Sequence, residues 1–281
     1  MNQEIAHKRQ ITVFEDLRDL LQASPILLQR WIKNPSIEKT LLCIITIIIG
    51  CGLYGFSIGA WRSPLMGVYV GIKLPLLIFL TLLCNGFLNG ILGLVLKSEL
   101  GFQQSTLCLL MSFTIFSLIN LGLSPATLFF ALNLPNVHAE GATSNHASYL
   151  LAHTLIIAFS GTISNLHLYR LLKKHTKNST IAYQTLAAWL LGNAFVGAQF
   201  SWILRPFFGS PRVDVQFLRE DMMEGTFYEA VFRSLHTLLE EAPNTFVFLT
   251  AIFGLLALIS TLLYKTQQII QLSKTHERRQ Y

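Results

Sequence analysis

The sequence predicts an all-α fold, a polytopic transmembrane helix bundle of about six spans with amphipathic interfacial helices. Three observations predict it. The 281-residue chain is 52% hydrophobic and only 13% charged, about half the charged share of a soluble domain. Its mean hydropathy is +0.50. Six segments, at 40–60, 74–96, 105–132, 148–169, 181–204 and 244–264, carry no Asp, Glu, Lys or Arg before their terminal residues. Each approaches the roughly 20 apolar residues that a helix needs to cross the hydrocarbon.

The elements follow in order. Residues 1–39 form a charged leader that predicts a cytoplasmic amphipathic segment, since the first apolar run begins near residue 40 and reads as a retained anchor. Within it, Ile11, Phe14, Leu17 and Leu21 share one helical face, opposite Glu15, Asp16 and Asp19. That acidic face argues against attraction to anionic lipid and for docking on the bundle. Residues 40–264 form the bundle itself. Its third span holds Ser124-Pro125, which predicts a kink or a short second helix. After the fifth span, 205–242 is an outer-face loop in which "RVDVQF" alternates with the period of a short strand. Thr226 and Glu229 then have capping-box spacing, opening an amphipathic helix with Phe227, Val231, Leu235 and Leu238 on one face. Residues 265–281 form a basic cytoplasmic tail.

Loop charge sets the orientation. With the amino terminus inside, fifteen of the 21 Lys and Arg residues fall in cytoplasmic segments, and the 134–147 loop has none. Both termini are therefore expected inside. The net charge of +6 reflects those loops rather than a nucleic-acid partner, and none is expected. Cys43, Cys51, Cys84 and Cys108 all lie in apolar runs and read as packing residues, neither a disulfide framework nor a zinc site.

The polar residues inside spans are the first candidates for a role. Asn85 and Asn89 are one turn apart, interleaved with Gly86 and Gly90. Gly55 and Gly59 have the same small-x-x-x-small spacing, and Gly192 and Gly197 lie on the fifth span. These positions predict close helix packing with amides bonded across it. His146 and His153 lack the i, i+4 spacing of zincin ligands and read as packing or interfacial residues. No Gly-x-Ser-x-Gly elbow, phosphate loop or pair of intramembrane aspartates appears, so neither a catalytic constellation nor a cofactor is expected.

The densest signal is "RPFFGSP", where Arg205, Pro206, Phe207, Gly209, Ser210 and Pro211 end the fifth span. Pro206 stops the helix, and Gly209 supplies a positive φ for a tight turn. Arg205 reads in one of two ways. It snorkels to the interface beside Trp202, Phe207 and Phe208, or its fixed guanidinium clamps a carboxylate or a lipid phosphate. Glu224, Glu229, Glu240 and Glu241 are the carboxylates within the same loop.

"LYGFSIGAW" (53–61), "KLPLLIFLTLL" (73–83) and "VGAQFSWILRPFFGSP" (196–211) resemble a family of bacterial multi-pass membrane proteins with a Trp-x-Leu-Arg-Pro-Phe-x-Gly-Ser-Pro turn. The likeness runs from about 40 to 235. The helical core is also loosely similar to the Yip1-type membrane domain, from which this chain departs by having six candidate spans where that domain has five. The resemblance implies a bacterial inner-membrane location and contacts with a membrane or cytoplasmic protein partner, and names no reaction. The expected function is a non-enzymatic scaffold or complex subunit in the lipid bilayer. The alternative is a transporter or lipid-handling protein with Arg205 or Lys73 at an anionic headgroup. Against ion coupling stands the lack of carboxylates within the spans.

Overall fold

Among the described residues, five helices are long and apolar enough to cross a membrane. They are α1 (Ile37–Ala60), α2 (Pro64–Val95), α3 (Phe102–Asn133), α4 (Ala142–His175) and α5 (Ser179–Ile203). A computed structural model of the chain describes residues 13–22, 31–96, 101–135, 137, 142–176, 178–209 and 214–229. The expected sixth span at 244–264, the amphipathic face beyond Glu229, the basic tail, Ser210 and Pro211 lie outside the described residues.

Local chemistry sets the helix ends. Ser36 caps α1, its Oγ accepting from Lys39 N at 3.4 Å. Ser63 Oγ accepts from Met66 N at 3.1 Å at the start of α2, and Asn178 Oδ1 accepts from Ile181 N at 2.9 Å at the start of α5. Each serves a backbone donor that an uncapped helix leaves open. Lys173, Lys174 and His175 close α4, where cations suit the carboxyl end of the helix dipole.

The second span begins ten residues earlier than the apolar run predicts. Lys73 interrupts hydropathy but not helicity, while Arg62 sits in the short Trp61–Ser63 link that separates α1 from α2. The third span is one continuous helix through Pro125, not two. Ser124 Oγ donates to Asn120 O at 2.9 Å and Thr127 Oγ1 to Ser124 O at 3.0 Å, so hydroxyls take up carbonyls around the proline.

α1 packs along both α2 and α3; α2 also meets α5 and α3, and α4 joins α3 to α5. The interior is more polar than the exterior. Thr46, Ser57, Asn85, Asn89, Ser117, Asn120 and Ser160 are buried, while Ile45, Ile49, Leu83, Phe159 and Leu191 face out. That inversion suits an apolar surrounding, in which polar groups must find partners inside. Ser117 Oγ reaches Thr46 O at 2.9 Å, Ser57 Oγ pairs with Thr127 Oγ1 at 2.7 Å, and Ser112 Oγ donates to Ser164 O at 3.2 Å.

The amino-terminal segment packs into the same core through Leu20, Trp31 and Ile32, with Leu17 beside them. Its inward face is therefore Leu17 and Leu20. Phe14 is 70% exposed and Leu21 41%, so the register read from hydropathy is rotated. Gln104 Nε2 donates to Ile32 O at 3.4 Å, and the Lys39 ammonium lies 5.6 Å from the Trp31 ring centre. Burial raises the Asp16 carboxyl above its ordinary 3.8, with Lys39 pulling it down. The alternation at 213–217 forms no strand among the described residues; Val215 and Phe217 sit half-buried in irregular backbone. An isolated strand has no edge to pair with. By contrast, Glu229 N does donate to Thr226 Oγ1 at 3.1 Å, the cap that the spacing predicts.

Candidate functional site at the Arg205 turn

α5 stops where Pro206 lacks the N–H that a further helical turn requires. Its last bonds are Leu204 N to Phe200 O at 2.9 Å and Arg205 N to Trp202 O at 3.3 Å. Gly209 then adopts φ 61°, the left-handed conformation that Pro/Gly spacing predicts.

Each residue of the turn meets a different part of the bundle. The Arg205 guanidinium carbon lies 3.8 Å from the Trp202 ring centre. Its Nη1 donates to Trp202 O at 2.9 Å, and its Nη2 donates to Asp221 O at 3.1 Å and Asp221 Oδ2 at 3.3 Å. Trp202 in turn donates from Nε1 to Glu224 O at 3.1 Å, so one indole ring holds both the arginine and the returning loop. The Pro206 carbonyl accepts from Lys73 Nζ of α2 at 2.9 Å. Lys73 is fully buried, with the Phe207 and Phe217 ring centres 5.9 and 5.1 Å from its nitrogen. Phe208 lies against His153 of α4, ring centres 6.0 Å apart. Gly209 sits on the stem of Arg62, whose Cγ would be 2.7 Å from a Cβ placed there.

Behind the turn, an aromatic cluster locks α1 to α4. Tyr54 OH and His153 Nδ1 are hydrogen-bonded at 3.0 Å, and Tyr149 packs edge-on against His153 at 4.4 Å. Tyr149 OH donates to Ser57 O at 2.7 Å and Ile58 O at 3.1 Å. Trp61 stacks on His146 at 5.7 Å and donates from Nε1 to Pro135 O at 3.1 Å. Among the described residues no three of His, Cys, Asp and Glu gather where a metal would need them.

The packing residues read from the sequence separate into three kinds. At Gly55 and Gly59 the backbones of α1 and α2 touch. A Cβ on Gly55 would lie 2.6 Å from Val70 O, and one on Gly59 would strike Met66 O and lie 2.7 Å from Gly67 N. Asn85 and Asn89 face α5. Asn85 Nδ2 donates to Gly192 O at 3.0 Å, Asn89 Nδ2 to Asn193 Oδ1 at 3.3 Å, and Trp189 Nε1 to Asn89 O at 2.9 Å. Gly192 and Gly197 lie in ordinary contact with Asn85 and Thr81, each 3.5 Å from a placed Cβ. Among the described residues, a Cβ on Gly86 would meet Thr106 Oγ1 at 3.9 Å, and one on Gly90 would lie 2.6 Å from the Phe102 ring and 3.5 Å from the Phe102 Cα.

These bonds matter because α5 buries only Ala182, Thr185 and Trp189. Asn85→Ala is expected to lower stability by about 1 kcal/mol, at the upper part of the range for interhelical side-chain bonds in membranes. Thermal unfolding in detergent checks it, with Thr162→Ala as control, since the Thr162 hydroxyl is exposed and serves its own helix.

Sequence reasoning missed one residue of the turn. Asp221, not Glu224 or Glu229, holds the carboxylate opposite Arg205, while Glu240 and Glu241 lie outside the described residues. The sequence marks Lys73 as a candidate cation for an anionic headgroup without placing it inside α2. The signal that places it is the i, i+4 series Lys73, Leu77, Thr81, Asn85, Asn89, one ridge of α2. Far from the turn, a groove lies between the starts of α1 and α3, lined by Ile37, Thr40, Phe102 and Leu107. No family model, no curated protein and no solved structure matches the chain.

Proposed function

We propose that this chain is a non-enzymatic membrane scaffold or complex subunit that acts through protein contacts. The observation that carries the reading is the state of Arg205. The turn was the strongest candidate for an open ligand site, and both terminal nitrogens of its guanidinium are instead bonded to Trp202 and Asp221. The turn thereby closes one end of the bundle. The Ser57, Thr127 and Ser117 hydroxyls and the Asn85 amide nitrogen are likewise used on backbone and on each other, which supports a packing role over a catalytic one. The loop charges support a bacterial inner-membrane location with both termini cytoplasmic, and the resemblance in the 196–211 turn supports the same family setting.

The test is native mass spectrometry after gentle extraction from the source membrane at natural expression level. The expected result is a stoichiometric protein partner, of membrane or cytoplasmic origin. A chain that emerges alone from every mild extraction overturns the proposal.

A further inference from the structure

Lys73 is a fully buried cation at this end of the bundle whose hydrogen bonding is incomplete among the described residues. It lies nine residues into α2, about 14 Å along the helix at 1.5 Å per residue, and none of its surface reaches solvent. An ammonium has three donors. Among the described residues it meets one acceptor, the Pro206 carbonyl at 2.9 Å, two aromatic rings and no carboxylate. Asp221, the carboxylate nearest in function, is committed to Arg205 at 3.3 Å. A charge buried with one neutral acceptor is costly, and a well-packed apolar side chain of similar volume generally serves stability as well or better. A structural strut alone does not account for lysine at this position.

We infer that Lys73 is a receptor for a phosphate oxyanion, with the Pro206 carbonyl holding the place of a ligand oxygen in the closed form. The ligand enters as the 206–208 turn backs away, exchanging one neutral hydrogen bond for charge-assisted bonds to donors that the closed form leaves unused. In the closed form Phe207 and Phe217 flank the ammonium, and Phe217 lies outside the turn that moves. The same chemistry has two sources, the headgroup of an anionic lipid or free inorganic phosphate. This inference goes beyond the scaffold reading, and a partner-free chain leaves it standing.

The experiment uses the delipidated full-length protein in detergent, as wild type, Lys73→Met and Lys39→Met, the last making the same change at the other end of the bundle. Native mass spectrometry follows retention of added phosphatidylglycerol, phosphatidylcholine or inorganic phosphate. Wild type and Lys39→Met are expected to retain the anion about tenfold more than Lys73→Met, the effect of losing one charge-assisted hydrogen bond. Lys73→Met should be at least as heat-stable as wild type. Retention of phosphatidylglycerol that phosphate does not displace identifies a lipid headgroup, and retention of phosphate alone identifies the free anion. Equal retention by wild type and Lys73→Met, or none by either, overturns the inference. Should Lys73→Met fail to fold, hydrogen–deuterium exchange on wild type decides. Anion must speed exchange in the 205–218 peptide, and unchanged exchange sinks the proposal.

Discussion

Gly59→Ala is expected to remove most of the folded protein. The added methyl would meet Met66 O and the Gly67 N at 2.7 Å, both backbone atoms of α2 that no rotamer change can move aside. Overpacking a well-filled core costs about 1–3 kcal/mol and more where backbone must shift. Here the shift would part the two helices joined by the short Trp61–Ser63 link, so about 3 kcal/mol or more is the expectation. Gly86→Ala supplies the comparison. Among the described residues its methyl would meet Thr106 Oγ1 alone, at 3.9 Å, and alanine is the better helix former by about 1 kcal/mol in solution. Monodisperse yield and unfolding midpoint in detergent distinguish the pair. Gly59→Ala protein as stable as Gly86→Ala would contradict the backbone contact.

Arg205→Ala carries the second-largest expected effect, about 2–3 kcal/mol, from losing a stacked guanidinium and its bonds to two carbonyls. Asp221→Asn should cost far less, about 0.5 kcal/mol, because that carboxylate is 51% exposed and its attraction is screened. The ordering tests where the arginine's contribution lies. If Asp221→Asn matched Arg205→Ala, the ion pair would be dominant and the Trp202 contact incidental. Arg205→Lys should recover less than half of the loss. A lysine keeps the charge but cannot lie flat on the Trp202 ring while reaching both Trp202 O and Asp221 O. Chemical unfolding of the three variants, in one detergent, provides the comparison.

Hydropathy and spacing were sufficient for much of this fold, for identifiable reasons. α1, α3 and α5 are continuous apolar runs, and the Gly55/Gly59 contact follows from small residues one turn apart. The conformation of Gly209 was readable because Pro206 and Pro211 leave a turn few other solutions. Other features depended on contacts that leave no periodic trace. Lys73 broke the apolar run that would have marked the start of α2, although a charge does not end a helix when the side chain is buried against a partner. The rotated face of the 13–21 helix came from Leu20, which packs inward beside Trp31 and Ile32 while Phe14 faces out. Asp221 lies 16 residues from Arg205 across an irregular loop, where no period relates the two. Gly86 and Asn85 are neighbours in sequence, yet only the amide points at α5, because adjacent positions on a helix face about 100° apart.

The bond between Lys73 and Pro206 spans 133 residues, and the ribosome makes its donor long before its acceptor. Domains and their parts assemble from the amino terminus as they emerge. The hairpin of α1 and α2 therefore enters the membrane with an ammonium whose receiving carbonyl has not yet been synthesised. Chain order thus turns one hydrogen bond into a record of completion. The first half of the bundle is finished only when the far end of α5 arrives, and a chain truncated before residue 206 should be distinguishable to membrane quality control by that unserved charge.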